Sequence, residues 1–324
     1  MTNSGRYFIA GGAGFLGSHF TDRLLADRSV NAVTLYDNFS SGREWHYEHH
    51  RDDARLRVIR NDVKNLDALT EAMRGHDVVI HLASNPDIAR AASEPEIDFH
   101  EGTLLTNNIV EAMRRSATRS ILYASGSGIY GDLGEKEVDE DYGPLIPIST
   151  YGASKLAGEA LISSYCHMFE FTGRVFRFGN VVGPRQTHGV GFDFVRQLLK
   201  DPRKLRILGD GSQSKSYVHV RDVVEAVLLA ARRAEERFAV YNVATDYITV
   251  KEIAALAVEC AELDRWNVEF EYTGGERGWK GDVPIVRLKT DRIRSLGWVA
   301  GSGSREALRD SMLAMLEEMR AGRL

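Results

Sequence analysis

The sequence predicts a doubly wound α/β fold, a parallel β-sheet with helices on both faces. Short apolar runs of strand length alternate with longer segments in which apolar residues recur with the 3.6-residue period of a helix. Strands separated by helices need crossover connections, and these connections make neighbouring strands parallel. With 324 residues, 43% of them hydrophobic, the chain is long enough for one large or two intimately joined domains.

The alternation starts close to the N-terminus and continues through the first 125 residues. In order, the predicted elements are the strand RYFIAG, the helix SHFTDRLLAD, the strands AVTLYD and LRVIRND, the helix NLDALTEAMRG, the strand DVVIHLAS, the helix GTLLTNNIVEAMRR and the strand SILYAS. This succession is what a single parallel sheet requires.

From about Phe178 onward, Gly-rich and polar segments indicate more loops. The predicted loops are GNVVGPRQTHGVGF, LGDGSQSKS and TGGERGWKGD, and the helices between them are RDVVEAVLLAARRA and TVKEIAALAVECAEL. We therefore expect a smaller second region, interleaved with the end of the first. The predicted division gives 1–180 and about 217–245 to the first domain, and 181–216 and 246–324 to the second.

Composition argues against several classes of protein. The formal net charge is −5 and neither sign is gathered into long blocks, so we expect no nucleic acid and no membrane surface as partner. The two cysteines, Cys166 and Cys260, have no Cys or His nearby at metal-ligand spacing, which predicts neither a disulfide framework nor a metal site. Without a signal-like or membrane-length apolar run, a cytoplasmic location is expected.

Three glycines after the first predicted strand indicate a dinucleotide site. Gly11, Gly14 and Gly17 allow a tight turn and a close approach to a pyrophosphate, whose charge the amides at a helix N-terminus stabilise. A glycine trio alone is equally typical of a turn that packs a helix on a strand. Asp37, which ends the second strand twenty residues after Gly17, is placed to accept hydrogen bonds from adenosine ribose hydroxyls.

The same aspartate favours NAD over NADP, because its charge would repel a 2′-phosphate. Arg43, a few residues further on, leaves NADP open as an alternative. Asp62 closes the third strand, where it either receives the adenine amino group or is an ordinary surface-turn aspartate.

The segment YGASK places Tyr151 and Lys155 four residues apart, on one face of a helix. A lysine ammonium and a positive nicotinamide ring beside the phenol favour the phenolate, so Tyr151 can act as a base near neutral pH. A Tyr and a Lys at this spacing are common by chance. Here they follow a glycine-rich turn and a fifth strand, and this context indicates a catalytic pair.

Seven motifs follow one another along the chain, and their order and spacing carry a resemblance to a known family. They are GGAGFLGSH, DNFSSG, VIHLAS, YGASKLAGE, RFGNVVGPR, LGDGSQSKSYVHVRDVVEAV and RGWKGDV. With them, nearly the whole chain resembles the extended short-chain dehydrogenase/reductase family, most closely its UDP-galactose 4-epimerase branch and the archaeal-type members. The resemblance implies an NAD-binding Rossmann domain, a smaller lobe for a nucleotide sugar with the active site between them, and a homodimer formed through a four-helix bundle.

In such enzymes NAD is regenerated in each turnover, and the tyrosine removes the proton of a sugar hydroxyl, usually at C4. The resemblance makes Tyr151 this base and Lys155 its electrostatic partner and a ribose contact. It assigns cofactor contacts to Gly11, Gly14, Phe15, Leu16, Gly17, Asp37, Asn38, Phe39, Ser40, Gly42, Asp62, Val63, Leu82, Ala83, Ser84, Tyr151, Lys155 and Phe178.

Counting back from the shared Tyr-Gly, the family's catalytic Ser or Thr falls on Gly126, so its hydroxyl is absent. Ser125 and Ser127 flank the gap and would share one face of a regular strand, unless the strand end bends. We expect Ser127 as the substitute and Ser125 as the second candidate. The alternative is that both hydroxyls only bind backbone groups in a turn.

A second departure is Gly102, which aligns with the family's asparagine in NVxGT, while Asn107 and Asn108 lie further along the helix. If Gly102 replaces this asparagine, either a water takes the place of its side chain or the enzyme prefers a different chemistry. Dehydrating and decarboxylating relatives carry acidic residues where this chain has Ser127 and Gly128, so elimination lacks its acid and base.

The resemblance also places substrate contacts in the second lobe. Asn180 lies near the diphosphate, Lys215 and Arg277 bind phosphate, and the remaining candidates near the substrate are Ser127, Tyr151, His188 and Tyr217. Trp279 either stacks on a base or anchors its loop, with the second reading preferred.

The leading hypothesis is an NAD-dependent epimerase that inverts C4 of a UDP-hexose through a transient 4-keto sugar. The alternatives are a nucleotide-sugar reductase or dehydrogenase, an epimerase of a uronate, N-acetylhexosamine or heptose nucleotide, and an NAD-binding scaffold without activity. The motifs do not identify the sugar or the nucleotide base of the substrate.

Overall fold

The computed structural model describes residues 5–85 and 87–324. The strands in this range are β1 (Arg6–Ala10), β2 (Ala32–Asp37), β3 (Leu56–Arg60), β4 (Val78–His81), β5 (Ser120–Gly126), β6 (Glu137–Val138), β7 (Thr172–Phe178), β8 (Asn180–Val182), β9 (Lys204–Ile207), β10 (Ser214–His219), β11 (Phe238–Val243), β12 (Tyr247–Thr249), β13 (Glu269–Tyr272) and β14 (Arg287–Leu288).

The α-helices are α1 (Phe15–Leu25), α2 (Leu66–Met73), α3 (Leu104–Ser116), α4 (Thr150–Phe169), α5 (Val190–Lys200), α6 (Val220–Arg233), α7 (Val250–Cys260), α8 (Asp291–Ser295) and α9 (Ser304–Arg320). A π-helical turn, Phe99–Thr103, precedes α3, and short 3₁₀ helices include Glu44–His46, Glu48–His50 and Ser127–Tyr130. Two predicted loops are partly regular, because α5 begins inside the first and β10 inside the second.

The central sheet has the strand order β11-β7-β5-β4-β1-β2-β3. Its pairs β3–β2, β2–β1, β1–β4 and β4–β5 are parallel, and Ile9 in the middle of β1 has Leu35 and Ile80 as register partners. The strand order reverses beside β1, which is where such sheets bind a dinucleotide. The predicted doubly wound parallel sheet is confirmed.

The chain divides into two compact units. The first comprises 1–129, 149–177 and 224–241, and the second comprises 130–148, 178–223 and 242–324. Residues 130–148 therefore belong with the second unit, whereas the sequence analysis assigned them to the first domain. The reason is local pairing: β6 forms a parallel bridge with β14, and the Tyr130 hydroxyl donates to Asn242 Oδ1 over 2.8 Å.

Each unit has its own apolar core. In the first, the fully buried side chains of β1, β2, β4 and β5 pack against α2, α3 and α4. In the second, α5, α7 and α9 pack on one another and enclose a buried cluster that includes Phe194, Leu256 and Met312.

A buried ion pair crosses the first unit from α4 to β7. Arg177 Nη2 donates to Glu159 Oε2 over 2.8 Å, and the two side chains are only 5% and 6% exposed. The Ser125 hydroxyl, at the end of β5, donates to Glu159 Oε1 over 2.6 Å. This network fixes the helix that carries Tyr151 and Lys155 to two neighbouring strands.

We expect Glu159→Gln to lower the free energy of unfolding by about 3 kcal/mol, because it removes a buried carboxylate that pairs with the Arg177 charge. The matched control is Glu94→Gln, which removes the exposed partner of Arg90 and should cost less than about 1 kcal/mol. Urea unfolding of both variants measures the difference. Equal losses would contradict a structural role for the buried pair.

Candidate active site

The glycine-rich turn after β1 has the geometry of a phosphate cradle. Gly11 adopts φ of +78°, and a Cβ there would lie 2.8 Å from the Ala83 backbone nitrogen. A Cβ at Gly17 would lie 2.5 Å from the Gly12 carbonyl oxygen, so neither position accepts a side chain. Gly14 is the N-cap of α1 and offers no side-chain cap, which leaves the first amides of the helix free for an anion.

Asp37 lies at the carboxyl end of β2, buried and fixed by the backbone. Its Oδ2 accepts from Ala13 N over 2.9 Å and its Oδ1 accepts from Phe39 N over 2.7 Å. Burial raises the pKa of this carboxyl, and the two amide hydrogen bonds oppose that shift. Gly42 packs so closely that a Cβ would lie 2.9 Å from Asp37 Oδ1.

Asp62, predicted to lie near the adenine, is linked to the same loop. Its Oδ2 accepts from Asn38 Nδ2 over 3.0 Å, and its Oδ1 accepts from the Lys64 amide over 2.8 Å. Partial burial raises the pKa of Asp62, but these hydrogen bonds outweigh it and the net shift is downward. A cradle without side chains and a carboxylate fixed at the end of β2 together fit the pyrophosphate and ribose of NAD.

Tyr151 and Lys155 lie on the first turns of α4, as predicted. The hydroxyl of Ser149 caps this helix by accepting from Gly152 N over 3.1 Å. Lys155 Nζ donates to the Ala124 carbonyl over 2.9 Å and lies 5.4 Å from the centroid of the Tyr151 ring. The helix therefore places the ammonium beside the phenol.

Burial acts on both members of this pair. It raises the pKa of the Tyr151 phenol to about 12, against the opposing effect of Ser84, and it lowers the pKa of Lys155 to about 8. The Asp98 carboxylate raises both pKa values. The Ser84 hydroxyl is itself buried and has no hydrogen bond of normal geometry within the described residues.

Asp98 is a member of this site that the sequence analysis missed. Its side chain is buried, accepts from Thr150 Oγ1 over 2.7 Å and accepts from Asn85 Nδ2 over 2.8 Å. Since Thr150 is the first residue of α4, Asp98 holds the start of the helix that carries the catalytic pair. An isolated aspartate before a helix gives no signal in a sequence.

The chain bends at Gly126, the position at which the resemblance leads us to expect a catalytic hydroxyl. Strand β5 ends at Gly126 and a 3₁₀ helix begins at Ser127, so the alternation of a strand does not relate the two serines. The Ser125 hydroxyl is engaged by Glu159, whereas that of Ser127 has no hydrogen-bond partner among residues 5–85 and 87–324. A Cβ on Gly126 would meet nothing within 4 Å.

Gly102 lies in the π-helical turn, against the catalytic helix. A Cβ there would lie 2.7 Å from Ser154 Oγ, and this hydroxyl donates to the Tyr151 carbonyl over 2.8 Å. An asparagine at 102 would require Ser154 to move. Asn108 does not replace it, because its amide donates to the carbonyl of Val63 over 3.2 Å.

In the second unit, the two predicted phosphate ligands converge on one aspartate. Lys215 Nζ lies 2.5 Å from Asp282 Oδ1, and Arg277 Nη1 donates to the Asp282 carbonyl over 2.5 Å. Arg277 also forms an ion pair with Asp132, at 2.6 Å. Neither aspartate was singled out from the sequence, although Asp282 ends the RGWKGD motif.

The other predicted contacts of this unit are more dispersed. Asn180 is exposed at the start of β8, with its Nδ2 3.5 Å from the Ser216 carbonyl, and His188 is exposed before α5. Tyr217 is buried on β10, which raises the pKa of its phenol. Trp279 is half-buried, and its carbonyl accepts from Asp282 N.

A family model described as the NAD dependent epimerase/dehydratase family matches residues 7–244. The chain belongs to this family. It is 33% identical over 303 residues to UDP-glucose 4-epimerase of Mycolicibacterium smegmatis, covering 90% of this chain and 93% of that protein.

Solved structures of the epimerase/dehydratase family have the same fold. A UDP-galactose 4-epimerase superposes with a TM-score of 0.86 at 33% identity, covering 97% of this chain and 99% of the other. UDP-glucose 4-epimerase of Thermus thermophilus, in complex with NAD, superposes with a TM-score of 0.83 at 29% identity, covering 96% and 99%.

The family and its NAD-bound structures confirm the predicted cofactor: this enzyme uses NAD. Within the described part of the chain, none of the helices combines the length and the apolar character needed to cross a bilayer.

We expect Asp37→Ser to weaken NAD binding about tenfold or more, because the variant loses the ribose acceptor and the carboxylate that orders the loop. Binding of NADP should weaken less, since the repulsive charge is also lost. Calorimetric titration with both dinucleotides measures the ratio. The control is Asp52→Ser, an exposed carboxylate of the same connection, which should leave both affinities unchanged.

Asp98→Asn should lower the pKa of Lys155 below its value of about 8, by about one unit, because a negative charge that favours the ammonium is removed. The asparagine retains an acceptor and a donor for Asn85 and Thr150, so the helix start is preserved. Titration of the Lys155 Nζ resonance in ¹⁵N-lysine-labelled protein gives the pKa. An unchanged midpoint, or the same shift in the exposed Asp67→Asn, would contradict the role of Asp98.

Proposed function

We propose that this enzyme is an NAD-dependent 4-epimerase of a UDP-hexose, of the UDP-glucose/UDP-galactose type. The observation that carries the proposal is the Tyr151–Lys155 pair on α4, in the same unit as a dinucleotide cradle. Relatives named as UDP-glucose 4-epimerases, which match about nine-tenths of the chain, support the same substrate class.

The chemistry at C4 needs a base, a cation and a hydride acceptor. When bound, NAD supplies the hydride acceptor and a positive ring that favours the phenolate. Tyr151 takes the proton of the C4 hydroxyl and returns it, while the buried Lys155 ammonium stabilises the phenolate between these transfers. In the protein alone the phenol is protonated at neutral pH, since its pKa is about 12.

Ser127 supplies the hydroxyl that relatives present from the position of Gly126. It is the residue after the end of β5, only partly buried, and its hydroxyl is not engaged by the described residues. Ser125 is a weaker candidate, because its hydroxyl donates to the buried Glu159.

Lys215 and Arg277 bind the diphosphate in this proposal. Both cations contact Asp282 in the second unit, so they are already close together without a ligand. A diphosphate would take over donors that Asp132 and Asp282 now occupy, and its two charges suit two cations.

Two alternative hypotheses for the function predict different results. A reductase or dehydrogenase would change the amount of NADH, and a scaffold would bind NAD without converting any sugar. Dehydration and decarboxylation are disfavoured, because Ser127 and Gly128 provide neither an acid nor a base.

The test is to incubate the purified enzyme with UDP-glucose and UDP-galactose, resolve the sugars by chromatography, and follow NADH absorbance. We expect interconversion in both directions without net NADH. Tyr151→Phe should lower the rate by at least about a thousandfold while NAD remains bound. Bound NAD without interconversion by the wild type would reject this substrate and leave the other nucleotide sugars.

The role of Ser127 has its own test. Ser127→Ala should lower kcat by about tenfold to a hundredfold, while Ser125→Ala should mainly lower stability, by about 1 kcal/mol. Because the space around Gly126 is open, Gly126→Ser in the Ser127→Ala background should restore much of kcat. Activity that is insensitive to Ser127→Ala would show that the hydroxyl is not used.

A further inference from the structure

Asp22, His49 and His50 form a polar cluster away from Tyr151 and Lys155. Asp22 lies on α1, and the two histidines end the 3₁₀ helix Glu48–His50. Both imidazoles donate Nε2–H to the same oxygen, Asp22 Oδ1, over 2.8 Å each. Three potential ligand atoms therefore converge, all within 4.8 Å of one another.

We propose that Asp22, His49 and His50 bind one divalent transition-metal ion, of the Zn²⁺ class. The ion would bind Nε2 of each imidazole in place of the proton that now points at the carboxylate oxygen, and each neutral ring would carry its proton on Nδ1 instead. Zinc lies about 2.0–2.1 Å from nitrogen and about 2.0–2.2 Å from oxygen, so tetrahedral ligands are about 3.3 Å apart. The present 2.8 Å contacts need to open by only about half an ångström.

The ligand set selects the class of ion. Two imidazoles and one carboxylate suit zinc, copper or nickel, whereas magnesium and calcium prefer oxygen ligands throughout. The three side chains are between 22% and 50% exposed, so the ion can enter from solvent and water can complete its coordination.

The cluster lies where a bound ion would influence cofactor binding. The connection between β2 and β3 carries the predicted adenosine contacts, and its middle is fixed to the glycine-rich turn. His46 Nδ1 lies 2.8 Å from the Ala13 carbonyl, which also accepts from Arg43 N over 3.0 Å. A metal at Asp22 would fasten the far end of the connection to α1, the helix that faces the pyrophosphate.

Because metal and NAD would order the same connection, each should tighten the binding of the other by the same factor. No sequence motif indicates this site, since Asp22 and His49 are 27 residues apart and belong to different elements. The expectation of no metal site was drawn from the surroundings of the cysteines alone.

The first experiment is calorimetric titration of the full-length enzyme, stripped of metal and loaded with NAD, with zinc chloride at pH 7.5. We expect one ion per chain in the wild type, and at least tenfold weaker binding in Asp22→Asn, His49→Gln and His50→Gln. The control is His100→Gln, an exposed histidine elsewhere in the same unit, which should bind zinc as the wild type does. Absence of binding by the wild type, or equal affinity in all variants, would overturn the site.

The second experiment tests whether the ion fastens the connection. Hydrogen exchange at residues 44–51 should slow about tenfold with zinc in the wild type and not in His49→Gln. Saturating zinc that leaves exchange at residues 44–51 unchanged would refute the fastening role.

Discussion

The buried ammonium group of Lys155 is the feature on which the arrangement around Tyr151 depends. Burial removes the charge from water, and the main-chain carbonyl of Ala124 replaces part of the lost hydration. The same dry surroundings make the lysine a weaker cation and the phenol a weaker acid, so neither residue alone is suited to proton transfer. Asp98 keeps the lysine protonated, at the expense of a higher phenol pKa. In the proposed function, bound NAD would supply a second positive charge, which would favour the phenolate of Tyr151.

The fold class and the use of NAD could be predicted from the sequence, because both depend on local patterns. The glycines of the first turn, Asp37 and the Tyr151–Lys155 spacing are each defined within a few turns of chain. Asp98 was not predicted as a site residue, because its hydrogen-bond partner Thr150 is 52 residues away in the sequence. Asp132 escaped for the same reason, since Arg277 is 145 residues distant. Such partners are brought together only by the packed tertiary structure.

The second unit illustrates how charges are kept in place before a ligand arrives. Lys215 and Arg277 would repel each other if they stood alone, and Asp282 lies where it can accept from both. Asp132 and Asp282 thus hold the two cations in place, and in the proposed function a diphosphate would replace these ion pairs. Part of the conformational entropy of these two long side chains is therefore already lost in the protein without a ligand.

Gly102 and Gly126, the two glycines at which the resemblance leads us to expect side chains, differ in the room around them. Gly126 faces open space, so a serine side chain at this position meets no steric barrier. Gly102 is different, because Ser154 occupies the room that an asparagine side chain would need. A side chain at 102 therefore requires a change at 154, so substitutions at these two positions should not be additive. A side chain can thus be introduced at Gly126 alone, whereas at Gly102 it is coupled to the neighbouring Ser154.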